Sequence, residues 1–316
     1  MNGSGHVVDF CQANNNTMGD YPEFTLVVGI LKSADTNGVL SNSTANDNTG
    51  SETAYGIAIH PLDFGFVFGA NQVVRNCQAN FNGNYGISTG LFSDPLPEFA
   101  LNIEISDCVC LNNGIGPVDA AGIIVINPGP DRSIMIKDCF ISDTGTSEAF
   151  SAVGIYVITA TNVVIEDCNV FNTTADEFGD GIVFDTVTDS KILRTQVHGN
   201  QNSGIELTGV NTNIMILDSI AIDNDVGFSV ASGSTLEGGI IQGNRALGNT
   251  TIGFEHAAVL PAPFDTSYQG NYAQDNGTNY SISNVIQIHT YAIPTATYVF
   301  SAGGTNFPTL TNIDAS

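Results

Sequence analysis

The sequence predicts an all-β chain, a right-handed parallel β-helix (solenoid) of about ten coils. Three observations predict it. A repeat runs through the chain on regularly spaced cysteines, and four other residue columns keep phase with it. The composition is rich in Gly, Asn, Ser, Thr, Ile and Val with only 12% charged residues, which suits strands and tight turns more than helices. Repeats of this length mark stacked architectures, because one unit cannot bury its own interior and must lean on its neighbours.

The anchors come first. Cys77, Cys108, Cys139 and Cys168 each follow an Asn or Asp: Asn76, Asp107, Asp138 and Asp167. The register runs back through Asn42-Ser43 to Cys11. It runs forward through Arg194-Thr195, Asp218-Ser219, Gly243-Asn244 and Gly270-Asn271. Three residues before the anchor stands an aliphatic column that includes Val74, Ile105, Ile136, Ile165, Ile192 and Ile216. Two residues after it comes a small or apolar column, from Ala13 and Ala45 to Ala246 and Ala273. Five after it stand Asn16, Asn48, Asn82, Asn113, Thr144, Thr173, Asn200, Asn224, Asn249 and Asn276. A loop of variable length then leads to Gly followed by Ile or Phe, from Gly29-Ile30 to Gly253-Phe254.

Each copy supplies three short strands. Parallel strands stack about 4.8 Å apart, so ten coils make a rod roughly 45–50 Å long. The asparagines are read as turn braces, since an unpaired buried amide costs ~1–3 kcal/mol. The Asn/Asp column before the anchor includes Gly243 and Gly270. Asn, Asp and Gly are the residues that accept a left-handed backbone, so this column is read as a bend. Three adjacent carboxylates there (Asp107, Asp138, Asp167) leave room for a loosely bound divalent cation, while no cofactor is implied. The six cysteines are read as reduced, non-catalytic and packed, because a parallel ladder points its thiols the same way. The β-helix is expected over 1–278, with its first coil incomplete at the N-terminus. Either residues preceding Met1 or another chain would cover that coil. Residues 279–316, where the periodicity stops, are expected to cap the last coil.

On these columns the chain resembles the right-handed parallel β-helix superfamily of pectate lyases, polygalacturonases and phage tailspikes, over roughly residues 5–278. The ending Asn271-Tyr272-Ala273-Gln274-Asp275-Asn276-Gly277-Thr278-Asn279-Tyr280 is similar to the terminal coil of β-helix repeat proteins of giant viruses and of bacteria living inside protists. The resemblance implies a groove along the strand that follows the variable loop, here the Gly-Ile strand. It does not supply a mechanism. The seven Lys and Arg are scattered, so no lyase-type base is evident, and the paired Asp-Asp, Gly-His-Gly and Arg-x-Lys signatures of the hydrolases are absent from the sequence.

Alternation along the Gly-Ile strand points the residue two after each Gly outward. Ile124, Tyr156 and Val183 are therefore expected to form an exposed apolar strip, flanked by the acidic loop carrying Asp176, Glu177 and Asp180. Longer loops over 60–70, 89–100 and 127–132, with His60, Asp94, Glu98 and Asp131, flank the other side. The candidate ligand-binding residues are Tyr156, Asp176, Glu177, Asp180 and Glu206. Glu206 and Glu255 are two coils apart, about 9.6 Å from the strand spacing, near the separation of an inverting carboxylate pair. The five histidines do not cluster, and His256 is expected to face inward. No metal site is assigned.

With 32 Asp and Glu against seven Lys and Arg, the formal charge is −25. Such a chain does not hold a nucleic-acid backbone by counterion release, and an anionic membrane repels it. No apolar run reaches the ~18 residues of a membrane-inserted span, and no signal peptide is visible. The expectation is a non-catalytic structural or glycan-binding β-helix of a virion or cell surface, either secreted or displayed, with polysaccharide or a second copy of itself as partner. The alternative is a polysaccharide-degrading hydrolase or lyase using the Gly-Ile groove.

Overall fold

The computed structural model describes residues 7–17, 26–33, 37–49, 53–60, 70–89, 101–115, 119–126, 133–145, 149, 151–257, 266–283, 287–292 and 298–301. They contain strands and no helix. The strands form a seventeen-stranded sheet, an eleven-stranded sheet and a two-stranded sheet, paired in parallel. This is the solenoid the repeat predicts. From Leu101 to Leu247 each coil gives two short strands to the seventeen-stranded anchor sheet and one strand to the eleven-stranded Gly-Ile sheet, while the earlier coils give the anchor sheet one strand and an isolated bridge.

The register is the one read from the anchors. Val74 pairs with Ile105, Ile105 with Ile136, Ile136 with Ile165, and the line continues through Ile192, Ile216 and Ile241 to Tyr268. All of these are buried. On the far wall Ile123, Ile155, Ile182 and Ile205 lead into Phe228, Phe254 and Tyr280, whose rings stack with centroids 4.8 and 5.2 Å apart.

The bend between the two anchor-sheet strands is left-handed in every coil. Asn42, Asn76, Asp107, Asp138, Asp167 and Asp218 have φ between 47° and 53°, and Gly243 and Gly270 take 68° and 60°. Even Phe10 (54°) and Arg194 (46°) adopt it. The column is thus a backbone requirement first. A second left-handed bend follows the third strand at Asn15, Asp47, Phe81, Asn112, Asp143, Asn172, Gly199, Asp223, Gly248 and Asp275, and it was not identified from the sequence.

The anchor residue completes the first bend. The Cys77, Cys108, Cys139 and Cys168 thiols reach the carbonyls of Arg75, Ser106, Lys137 and Glu166 at 3.1–3.3 Å. Ser43, Thr195 and Ser219 donate to the equivalent carbonyls. The column therefore selects a short donor, which explains why Cys alternates with Ser and Thr. All six cysteines are free. Burial pushes the Cys110 thiol well up, which suppresses the reactive thiolate. Brief treatment of the native protein with an alkylating reagent should modify Cys11, which is half-buried, and spare the other five. Denatured, non-reduced protein should take up six groups by mass. A lower number would reveal a bridge.

Two further columns form one device. Asn48, Asn82 and Asn113 pass a side-chain amide bond from coil to coil at 2.8 and 2.9 Å, and Asn200, Asn224, Asn249 and Asn276 do so at 2.9, 3.1 and 2.8 Å. The Gly column makes room for them. A Cβ on Gly56 would lie 2.5 Å from Asn82 Nδ2 and 2.7 Å from the Gly86 carbonyl. The amide line breaks at Thr144 and Thr173, beside the bulkier Ile141 and Val170. Among the described residues, the Oγ1 atoms of Thr144 and Thr173 are buried without a hydrogen-bond partner.

The C-terminal segment differs from the expectation. Instead of crossing the last coil as a cap, Gln287–Ala292 and Tyr298–Ser301 run parallel to Ser267–Gln274 and Thr278–Ser283. Gln287–Ala292 joins the anchor sheet, and Tyr298–Ser301 is the eleventh strand of the Gly-Ile sheet. The anchor motif is missing there, but strand pairing needs only backbone. At the other end Val7, Val8 and Phe10 are exposed.

Candidate functional site on the Gly-Ile sheet

The outer face of the Gly-Ile sheet carries two rails of side chains on either side of the Gly column. Tyr85, Ala121, Val153 and Asp180 are aligned by pairing in one. In the other stand Ser88, Ile124, Tyr156, Val183, Glu206, Ser229 and Glu255. The early coils are apolar. Tyr55, Ala58, Tyr85, Ala121 and Ile124 pack together with Val28, Ile126, Tyr156 and Ile158, and the Tyr55 and Tyr85 rings lie 5.1 Å apart.

This corrects the exposed strip. Ile124 is 1% exposed and Val183 is 5% exposed, and only Tyr156 retains intermediate exposure. Alternation assigned these side chains to the outer face correctly. Ile124 belongs to the apolar cluster on that face, which period-two reasoning does not see.

From the strand Phe178–Asp185 onward acids enter the rails, Asp180 in the first, followed by Ser203, Val226 and Ile252, and Glu206 and Glu255 in the second with Ser229 between them. Asp180 takes the position that Val153 holds one coil earlier, and Glu206 the position of Val183. The Asp180 carboxylate accepts from the Ser203 backbone N–H at 2.8 Å and from Asn202 Nδ2 at 2.9 Å. It is 3% exposed, and burial pushes it up to about 6 against the pull of those donors. Glu206 is pushed up to about 7, by burial first and then by the charges of Asp180 and Glu255. Glu255 stands two coils beyond Glu206 in the same rail and accepts from Ser229 Oγ at 3.1 Å.

Tyr156 sits between the apolar cluster and these acids. Burial raises its phenol to about 12, helped by the charges of Asp185, Asp119 and Glu206 and a hydrogen bond with Asp185. It is therefore a neutral donor at any physiological pH. Asp185 was missed in the sequence, although its place two residues after Val183 on an alternating strand put it on the same face.

The remaining candidates separate. Asp176 and Glu177 are exposed in the turn before the strand, and neither is among the charges that displace Asp180 or Glu206. His256 faces inward, as expected. It is 3% exposed, its Nδ1 is 3.2 Å from the Tyr268 hydroxyl, and burial lowers it to about 4. On the bend column Arg194 pairs with Asp167 at 2.9 Å and also with Glu166. Among the described residues no group of three or more His, Cys, Asp or Glu is arranged to hold a metal ion. The loop residues Asp94, Glu98 and Asp131 lie outside the described residues.

The fold and this face define an all-β, right-handed parallel β-helix whose outer Gly-Ile sheet is apolar in its early coils and carries Asp180, Glu206 and Glu255 in its later ones. Comparison with known proteins gives the same class. Residues 101–250 match the family described as right handed beta helix region. Among solved structures the chain is similar to a mutant of the periplasmic alginate epimerase AlgG, with 13% identity and a TM-score of 0.56, covering 94% of this chain and 70% of that one. It is also similar to the catalytic unit of the GH87 alpha-1,3-glucanase from Streptomyces thermodiastaticus strain HF3-3, with 14% identity and a TM-score of 0.50, covering 97% of this chain and 58% of that one. Dettilon tailspike protein gp208 matches at 14% identity and a TM-score of 0.49, over 94% of this chain and 55% of that one. The chain thus spans little more than half the length of the glucanase unit and of the tailspike. No curated protein sequence matches it. The family match and the likeness to the alginate epimerase support the right-handed β-helix fold.

The raised carboxyls have a stability consequence whose sign is fixed. Glu206 ordinarily titrates near 4.5 and is raised to about 7 in the folded chain. The folded state therefore binds its proton more tightly than the unfolded state does. The contribution is fully present below about 4.5 and is lost as pH rises through about 7. Each pKa unit corresponds to about 1.4 kcal/mol, so Glu206→Gln should stabilise the protein at pH 8 by on the order of 3 kcal/mol and change little at pH 4.5. Thermal denaturation at the two pH values checks this. Equal effects at both would contradict it.

Proposed function

We propose that the protein is a glycan-binding β-helix that lays a polysaccharide along the outer face of the Gly-Ile sheet, across Tyr156, Asp180, Glu206 and Glu255. The observation that supports this most is the entry of Asp180, Glu206 and Glu255 into the rails that are apolar around Tyr156. A sugar presents an apolar ring face and a rim of hydroxyls. An aromatic edge next to carboxyl acceptors suits both, and the sheet repeats the pattern at the strand spacing of about 4.8 Å. Two proteins of the same fold, the alginate epimerase and the alpha-1,3-glucanase, are named for polysaccharides. The ligand we favour is neutral or weakly charged, because a face holding Asp180, Asp185, Glu206 and Glu255 repels a polyuronate unless its own carboxyls are protonated. The setting we propose is a virion or cell surface, which rests on the resemblance of residues 271–280 noted above.

A second reading is favoured by one observation. Glu206, held near 7, keeps its proton under mildly acidic conditions and is suited to donate it to a glycosidic oxygen. Glu255, about 9.6 Å away by strand spacing, would then activate water, as in an inverting hydrolase. Incubation with neutral and acidic polysaccharides separates the readings. Binding without new reducing ends or unsaturated products supports the first. New reducing ends abolished by Glu206→Gln support the second. No binding and no product with any polysaccharide would overturn both.

A further inference from the structure

The four consecutive anchors Cys77, Cys108, Cys139 and Cys168 place their sulfurs in one line. Strand pairing brackets them on both sides. Arg75, Ser106, Lys137 and Glu166 are aligned before them, and Gln78, Val109, Phe140 and Asn169 after them. All four thiols take the same direction. Each reaches the carbonyl two residues back. Each also lies 3.6–3.8 Å from a carbonyl of the preceding coil, those of Leu40, Val74, Ile105 and Ile136. Neighbouring sulfurs therefore stand one coil apart along the rod. They act on one another in turn, Cys77 on Cys108, Cys108 on Cys139 and Cys139 on Cys168. The bend itself needs only a short donor, and Ser43, Thr195 and Ser219 show that a hydroxyl serves. Four thiols in succession add a chemistry that hydroxyls lack.

Spacing, coordination number and charge decide what that line fits. A metal–thiolate bond is about 2.3 Å long, so a straight sulfur–metal–sulfur unit spans about 4.6 Å. Parallel strands stand about 4.8 Å apart. An ion midway between neighbouring sulfurs therefore fits with the coils where they are. A disulfide fits less well, because it draws the two Cβ atoms to roughly 3.5–4.5 Å. Among the described residues no three of His, Cys, Asp or Glu converge on a metal position, so the ion must take two ligands in a line. That excludes tetrahedral Zn(II) and leaves the soft ions that thiolates select. The bend column carries Asp107, Asp138 and Asp167 next to these anchors. A monovalent ion on two thiolates would leave a buried negative charge beside those carboxylates, and an uncompensated buried charge is costly. A divalent ion leaves none.

We propose that the thiol ladder is a binding site for Hg(II), a soft divalent ion that takes two thiolates in a line, with one ion between Cys77 and Cys108 and one between Cys139 and Cys168. At each ion two S–H bonds break and two Hg–S bonds form. Both protons leave to solvent, and no oxidation state changes. The four cysteines are buried, so loading is slow and proceeds through local opening of the bend. The site lies at the first bend of the anchor sheet and does not depend on how the Gly-Ile sheet is used.

Native mass spectrometry tests the proposal, after long incubation of the full chain with mercuric chloride and an excess of glutathione. A Cys11→Ser, Cys110→Ala background leaves only the ladder, and the glutathione draws Hg(II) away from any single thiol. The background protein should retain two ions, each with the loss of two hydrogens. Adding Cys77→Ser and Cys168→Ser keeps the neighbours Cys108 and Cys139, and one ion should remain. Adding Cys108→Ser and Cys168→Ser instead keeps Cys77 and Cys139, two coils apart, and none should remain. Both variants hold the same number of thiols. Serine already stands at this anchor in Ser43 and Ser219, so far-UV circular dichroism should match the background. Cys77→Ser with Cys139→Ser, which keeps Cys108 and Cys168, replaces the separated pair if that variant does not fold. Ag(I) offered in the same way should stay with the glutathione. A background protein that retains no Hg(II) would overturn the proposal, as would equal retention by the adjacent and the separated pairs. Retention of Ag(I) as complete as that of Hg(II) would overturn the choice of a divalent ion.

Discussion

Gly204→Ala should cost about 3 kcal/mol or more and move much of the expressed chain into the insoluble fraction. The added Cβ would stand 2.7 Å from the Gly227 carbonyl, 2.8 Å from Val197 Cγ2 and 2.9 Å from Asn224 Nδ2. None of these can retreat easily. The carbonyl belongs to the next coil, whose height is fixed by parallel strand pairing on both sides. Val197 is buried in the core, and Asn224 is tied into the amide line. The control is Gly233→Ala, where nothing lies within 4 Å and only the left-handed backbone (φ 84°) opposes the change. That variant should lose about 1 kcal/mol. Denaturant midpoints compare the two, and equal losses would mean that the Gly column is not packed against the amides.

Asn224→Ala comes next, at about 3–5 kcal/mol. Asn224 Oδ1 accepts the Asn200 backbone N–H at 3.0 Å and the Asn200 amide at 2.9 Å, and its own Nδ2 donates to Asn249 Oδ1 at 3.1 Å. Truncation strands two buried donors and removes one bond from a buried acceptor. Each stranded group costs ~1–3 kcal/mol. Asn224→Asp is the sharper comparison. It keeps the acceptor for Asn200 but faces Asn249 Oδ1 with a carboxylate. It should destabilise strongly above the carboxyl pKa and recover on acidification, as read by denaturation at two pH values. A loss below 1 kcal/mol for Asn224→Ala would mean that water replaces the amide.

Much of this fold was legible because stacking turns each structural need into a column. The anchor spacing placed Ile136 against Ile165 and Ile141 against Val170, as the structure does. The first bend was legible because Asn, Asp and Gly share it. The second was overlooked, and Phe81 interrupts its Asn/Asp/Gly pattern. The C-terminal strands were legible from their alternation, but not their parallel pairing with the last coil, which is a backbone property and needs no Asn–Cys signature. The site was legible only in part. Period-two alternation put Tyr156, Val183 and Glu206 on the outer face. It could not tell that Ile124 and Val183 are buried there, since that depends on what packs over a strand and not on where its side chains point. Asp180 read as a loop acid. It is a strand residue, buried and held by Ser203 and Asn202, and its proximity to Glu206 arises across coils at a sequence distance of 26 residues.

The central functional claim is that the acid-bearing part of the Gly-Ile sheet holds a saccharide. Titration calorimetry at pH 6.5 with whichever oligosaccharide the wild type binds tests it most directly, comparing Glu206→Gln with Asp223→Asn. Asp223 is exposed on the second bend, beside His198, and lies off the Gly-Ile sheet. The account predicts that Glu206→Gln weakens binding at least tenfold while Asp223→Asn binds as the wild type does. Undiminished binding by Glu206→Gln, or equal losses in both variants, would contradict it.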